Sequence, residues 1–520
     1  MKSGRELSES ARAALAMIGA QPGVREAEVF VAANGNLLTR LNYTSHIPCN
    51  GVEEPKSSES HGLGVQVVFD DGGAIRIGFG HEPSDVTATG AARAFEKARK
   101  AAVVDPEFVS LPRPGQDRRR LVDYHDPRLM TVSDDALVEA GWKVVQGALR
   151  TFLASSQLAD LAGSEQALPA LGLILGGDVT ILQERMAIAS TAMPEPQVDE
   201  STLITAFVTA MVEARDAKGS GWSTATRLDH FTDEAGVEAA QNAIAAIGSA
   251  RVPSGRYTVI FGKQPVADLM NNIVIPACTA SSFYAGSTPF LGKLGTRVAS
   301  SRLSIRDDGA APGLLGSKGI TCEGLPTGRT ELVTRGIFTG CLSSWYESQR
   351  ILRDRAAAAR VGGTAEALAG ALVPRNGFRF GGGGGRLFDT QPGIAASNVI
   401  VEGADAVTLE ELIRQVDHGL YVGRIWYTYP INGLAAGDFT CTVVADSYII
   451  RDGRLAAPLK PNSVRINDNI ATVLDNVVGV TRDPKATIVW AADEVVYAPE
   501  IAVSGVRVDE IAGFMEELTA

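Results

Sequence analysis

Residues 26–43 read EAEVFVAANGNLLTRLNY, and residues 64–80 read GVQVVFDDGGAIRIGFG. Each stretch holds two β-branched, apolar runs with a turn-type cluster between them: Asn34-Gly35 in the first and Asp71-Gly72-Gly73 in the second. Such dipeptides supply the positive φ that tight hairpins need, so both stretches are predicted to be β-hairpins. Helices flank them. Ser3 and Glu6 form a capping box ahead of Leu7, Ala11, Ala14, Leu15 and Ile18 at helical spacing. A second helix is predicted from Ser84-Asp85 through Ala94, Phe95, Ala98 and Ala102.

The same order then recurs. Ser133-Asp134-Asp135 caps a predicted helix through Leu137, Val138, Trp142, Val145 and Leu149. Strand-like runs follow at 171–175, 179–183, 203–212 and 222–228, before a helix opening at Asp233. Helix, four strands, helix, twice over, predicts a duplicated α+β unit. The second half begins at Arg251-Val252-Pro253-Ser254-Gly255 and is rich in short β-branched runs and hairpin signals such as Arg451-Asp452-Gly453. Two helical regions interrupt it: 345–371, broken at Gly362-Gly363, and 408–415, opened by a Thr408/Glu411 capping box. The expected fold class is therefore α+β: a duplicated N-terminal region (1–128 and 129–250), followed by a large, mainly antiparallel β domain (251–520).

A chain of 520 residues buries a core without disulfides or structural metals. With 48 Lys+Arg against 60 Asp+Glu the net charge is −12, which disfavours binding to nucleic-acid backbones or anionic lipid. Neither a signal-peptide pattern nor a bilayer-length apolar run is present in the sequence, so a cytoplasmic location is expected. The five cysteines are scattered, with no C-x-x-C pair, and read as free thiols.

Single motifs carry little chemistry. The run Gly381–Gly385 lacks the Lys-Ser/Thr and strand–loop–helix context of a phosphate loop, and is read as a flexible loop. His81-Glu82 opens like a zincin motif, but Pro83-Ser84 follows and no second His closes it. Asp307-Asp308 beside Gly309 is read as a turn rather than a metal site.

In combination, a set of ordered stretches resembles the TldD/PmbA family of metallopeptidase-related proteins. They are 290–295 (FLGKLG) with Val298-Ala299-Ser300, Arg306-Asp307-Asp308, Glu323-Gly324, 417–422 (DHGLYV), Gly437-Asp438-Phe439 and 452–458 (DGRLAAP). Upstream, Gly62-Leu63-Gly64-Val65 and Arg76-Ile77-Gly78 resemble strands of the family's first domain. The resemblance implies two branches. TldD-type chains carry H-E-x-x-x-H and a later Cys ligand, which hold zinc and activate water. The PmbA or TldE branch shares the fold without those ligands.

Here the equivalent helix reads PVADLMNNI at 265–273, with neither His nor Glu, and no His lies between His230 and His418. The resemblance is thus to the PmbA/TldE branch. It implies a chain with no cofactor of its own and no catalytic residue, paired with a zinc-bearing TldD-type homologue that cleaves peptide or peptide-like substrates. A homodimer is expected when the chain is alone. Gly437, Asp438 and Phe439 are the substrate-cleft candidates. Two alternatives stay open: a self-sufficient hydrolase using Cys322 or Cys441 with a distant His, and a non-catalytic binder or modulator. The chain departs from the family pattern at Thr321-Cys322, in the glycine-rich 377–385 and in the Ala-rich 355–373.

Overall fold

The computed structural model describes residues 2–115, 121 and 124–511. Helix α1 (Gly4–Gly19) opens with the Ser3/Glu6 capping box in place. Strands β1 (Val24–Thr44), β2 (Lys56–Asp71) and β3 (Ala74–Pro83) follow, then helix α2 (Ala88–Ala101). The second repeat holds α3 (Asp134–Leu153), β4 (Leu173–Ser190), β5 (Gln197–Val212), β6 (Ala217–Ala225) and α4 (Glu234–Ala245). All six long strands join one antiparallel sheet in the order β3-β2-β1-β4-β5-β6, so β1 and β4 stitch the two repeats together.

One predicted turn is corrected by this sheet, and two predicted strand runs merge into one. Asp71-Gly72-Gly73 does turn β2 into β3, but Asn34-Gly35 lies inside an unbroken 21-residue strand. Gly35 pairs with Glu59 on one side and Gln183 on the other. A strand with ladders on both sides keeps its backbone groups satisfied only by running straight through. Likewise 171–175 and 179–183 belong largely to one strand, β4, which passes through Gly176-Gly177. Among the described residues the first repeat thus has five strands, two of them the two-residue Gly51–Val52 and Val103–Val104, and the second has three. The helix expected from Ser84 starts at Ala88, because the Asp85 carboxylate accepts hydrogen bonds from the Thr87 amide (3.0 Å) and hydroxyl (2.6 Å) in a local turn.

Alternation along β1 shows why its apolar run is continuous. Val29, Val31 and Ala33 pack with the helix residues Leu7, Ala11 and Phe95. Phe30 and Ala32 point the other way, onto Cys322, Phe378 and Phe388 of the C-terminal half. A sheet buried on both faces needs no polar side.

The C-terminal half holds β7 (Gly255–Phe261), helix α5 (Lys263–Leu269), β8 (Leu303–Asp308), β9 (Asn398–Gly403), β10 (Gly419–Val422), β11 (Arg424–Pro430), β12 (Asp438–Ala445), β13 (Val495–Ala498) and β14 (Ile501–Glu510), among shorter elements. They form a nine-stranded and a six-stranded sheet around one large core. Pairing is antiparallel except for β7 with β10 and β8's neighbour β9 with β13. The predicted break at Gly362-Gly363 separates helices Arg355–Val361 and Ala365–Ala371. Thr408/Glu411 forms its capping box, and strands Tyr448–Arg451 and Arg454–Pro458 pair across Asp452-Gly453. Among the described residues no helix is long and apolar enough to cross a membrane.

Candidate functional site

The sheet face turned away from the helices roofs a cavity of about 450 Å³ between the two halves. Strands β4 and β5 supply Glu184, Thr205 and Phe207, and the C-terminal half supplies Lys318, Arg424, Trp426, Trp490 and Asp493. Gly176 and Gly177 also line it. A Cβ on Gly177, whose φ is +148°, would sit 2.3 Å from the Phe207 carbonyl oxygen, so the glycine lets two strands approach at the cavity wall.

Beside the cavity lies a buried charge network. Glu184 accepts hydrogen bonds from the Lys318 ammonium and the Ser201 hydroxyl, and from the Arg386 amide at 2.8 Å and Nε at 3.1 Å. Arg386 also reaches Asp199 at 2.6 Å. Burial pushes the Glu184 acid up, but attraction by Lys318 and Arg386 outweighs it and holds the group well below the usual carboxylate range. Nearby, Arg379 pairs with Glu28 at 2.7 Å, both fully buried.

The five-glycine run is anchored rather than free, which corrects its reading as a flexible loop. The Asp493 carboxylate accepts from the Gly383 and Gly385 amides at 3.0 Å each. The Asn34 amide donates to the carbonyls of Gly384 (3.1 Å) and Arg386 (2.8 Å). At Gly385, φ is +72° and a Cβ would lie 2.7 Å from Glu184, so a side chain there would displace the charge network.

The helix after β7 is where the family resemblance would place zinc ligands. Gln264 donates to Asp268 at 3.1 Å, Asn272 donates to the Asp268 carboxylate and carbonyl, and Gln264 Oε1 accepts from the Ile425 amide at 3.0 Å. Burial pushes Asp268 up to about 6. The Cys441 thiol is buried, and burial together with Asp268 raises it far above its usual value. Zinc needs deprotonated thiolate, neutral imidazole or free carboxylate donors. This interlocked set of amides, one hydrogen-bonded carboxyl and one protonated thiol does not fit it. Among the described residues no three His, Cys, Asp or Glu side chains are grouped to hold a metal ion.

Gly437, with φ +75°, ends the turn 434–436; Asp438 accepts from Asn469 at 2.9 Å; and Phe439 is fully buried in the C-terminal core. These three neighbours are not among the cavity's lining residues. Cys322 is buried and its thiol is pushed up to about 12 by burial. Asp307 is buried beneath the Ser397 amide (2.7 Å) and Asn376 (2.7 Å), while Asp308 holds the Ala310 amide at 3.1 Å as the turn reading expected. The charge network escaped sequence reasoning because its members are separated by up to 202 positions. Of the cavity's aromatic residues, Trp426 stands in a visible aromatic run with Tyr427 and Tyr429, both of which are exposed beside a register shift in β11.

The fold and two matched family domains place the molecule among the metallopeptidase-related TldD/PmbA proteins. The chain belongs to this TldD/PmbA/TldE family. Its residues 254–510 match the PmbA/TldA metallopeptidase C-terminal domain, and residues 50–102 match PmbA/TldA metallopeptidase domain 1. It is 26% identical over 251 residues to a metalloprotease of Methanothermobacter thermautotrophicus, covering 48% of each chain. It is 23% identical to a TldD-homologue metalloprotease of Buchnera aphidicola, covering 45% of this chain and 42% of that one. The match thus spans about half the length of these curated relatives. In fold, it resembles the crystal structure of TldE from Thermococcus kodakarensis with a TM-score of 0.75 at 18% identity, over 96% of this chain and all of that one.

Proposed function

We propose that this chain is the zinc-free, TldE-like subunit of a heteromeric TldD/TldE-type metallopeptidase or amide hydrolase, working in the cytoplasm. Its role is to complete and shape the cleft in which a zinc-bearing homologue cleaves peptide or peptide-like substrates. One observation carries the reading: the helix that opens the C-terminal half presents Gln264, Asp268 and Asn272 locked to one another instead of zinc ligands. Water activation then falls to the partner, and this chain contributes walls and hydrogen-bonding groups.

The self-sufficient alternative is disfavoured by the thiols. A nucleophilic cysteine needs an exposed, activated thiolate, whereas Cys322 and Cys441 are buried with thiols pushed up by burial. The test is reconstitution. The purified chain alone is expected to leave a mixed peptide pool intact, and addition of a TldD-type homologue to give cleavage that a chelator abolishes. Cleavage by this chain alone that survives the chelator overturns the reading.

A further inference from the structure

Five charged side chains line the interdomain cavity: Asp178, Glu184, Lys318, Arg424 and Asp493. Four are spoken for. Asp178 pairs with Arg40 at 3.2 Å, Glu184 with Lys318, and Asp493 holds the glycine-loop amides. Arg424 is the exception. Its Nε is buried without a hydrogen-bond partner, and among the described residues its hydrogen bonding is limited to Thr209 Oγ1, a long 3.5 Å from Nη1. Among the described residues no carboxylate forms an ion pair with it. Its guanidinium lies 4.5 Å over the Phe207 ring, and Trp426 and Trp490, with ring centres 6.3 Å apart, continue the aromatic wall.

We propose that Arg424 is the anchor for a ligand carboxylate, with the aromatic wall of Phe207, Trp426 and Trp490 receiving an apolar group next to that carboxylate. The ligand class is a peptide or acylated amino acid bearing a free carboxylate, either the chain terminus or an acidic side chain. A guanidinium forks two parallel N–H donors toward a carboxylate, so an unpaired one stacked on an aromatic face is prepared for that group. Burial outweighs the pull of Asp446 and Asp268 and leaves Arg424 below the usual arginine value, so an incoming anion relieves a desolvated charge. The volume, about 450 Å³, suits a ligand of drug-like or short-peptide size. The peptide character rests on the proposed function above; capture of a carboxylate does not.

Calorimetric titration of the full chain with three probes tests this: acetyl-Gly-Phe, acetyl-Gly-Phe-amide and acetyl-Glu-Phe-amide. At least one of the two carboxylate probes is expected to bind about tenfold or more tighter than acetyl-Gly-Phe-amide, the span of a charge-assisted hydrogen bond. Preference for acetyl-Gly-Phe identifies the chain terminus, and preference for acetyl-Glu-Phe-amide identifies an acidic side chain. Arg424→Gln is expected to bring the preferred acid down to the level of the amide while leaving the amide unchanged, and Arg424→Lys to keep part of the preference. Trp490→Ala, at a residue 81% exposed, is expected to weaken all probes alike without affecting folding. Equal binding of acids and amide, no binding of any probe, or an equal loss for acid and amide in Arg424→Gln overturns the anchor. A chain that complements its zinc-bearing partner yet fails this titration loses the anchor and keeps its proposed role.

Discussion

Arg386 meets Glu184 in full burial, its Nε 3.1 Å and its amide 2.8 Å from the same carboxylate oxygen. The contact joins the end of the glycine loop to the middle of β4, and so one half of the molecule to the other. With Lys318 and Asp199 the network holds two cations and two anions, all nearly excluded from solvent. Balance of this kind makes each member costly to remove, because deletion strands its partner.

Arg386→Met is accordingly expected to destabilise the protein by about 3–5 kcal/mol, the range for breaking a buried pair. Urea unfolding followed by far-UV circular dichroism measures it. A loss below about 1 kcal/mol shows that the network is solvated in the native protein. Because Glu184 is held below its ordinary value, its contribution is present above the unfolded carboxylate range and disappears as pH falls through the native value.

Glu323 has the opposite sign. Its carboxylate accepts from the Trp345 amide at 3.0–3.1 Å, but burial dominates and raises the acid to about 8. The native state therefore binds a proton that the unfolded chain has released, and stability contributed by this group falls as pH rises from about 4.5 to 8. Glu323→Gln keeps the acceptor oxygen and removes the titration. The variant is expected to gain stability on wild type progressively across that window. A parallel pair of stability–pH curves overturns the assignment.

The fold class was legible in the sequence, since capping boxes, β-branched runs and the Asp71-Gly72-Gly73 turn are local signals. Asn34-Gly35 misled because its reason is not local. Its Asn side chain serves the carbonyls of Gly384 and Arg386, 350 and 352 residues away. The glycine run misled in the complementary way: composition reads as flexibility, while Asp493 and Asn34, unrecognisable as partners from sequence, hold it in place. Absence of the zinc motif was readable at 265–273, but what replaced it, a Gln264–Asp268–Asn272 lock, needed the helix geometry.

That long-range role of Asn34 is itself testable. Asn34→Ala leaves two carbonyls of the glycine loop without their donor and is expected to cost about 1–3 kcal/mol, measured by chemical denaturation. At an exposed hairpin turn the same change would shift stability by about 0.5 kcal/mol or less. A result in the lower range would restore the turn reading and contradict the continuous strand.

Zinc content is the property that tests the proposed zinc-free subunit against a self-contained metallopeptidase. The position where zinc ligands would stand holds two amide side chains and a carboxyl that already accepts from both, with a buried, protonated Cys441 nearby. Creating a site there would mean breaking those hydrogen bonds and ionising a buried thiol, with no imidazole to compensate. The chain purified without an affinity tag is thus expected to carry far less than one zinc per molecule by elemental analysis. A metal that binds only the native state stabilises it by an amount that grows with the logarithm of its concentration relative to its dissociation constant, so removing one would lower the melting temperature. Dialysis against a chelator is therefore expected to leave the melting temperature unchanged, and saturating zinc to leave it equally unmoved. About one zinc per chain, together with a chelator-induced fall in melting temperature, would place a metal site in this chain and return the hydrolytic step to it.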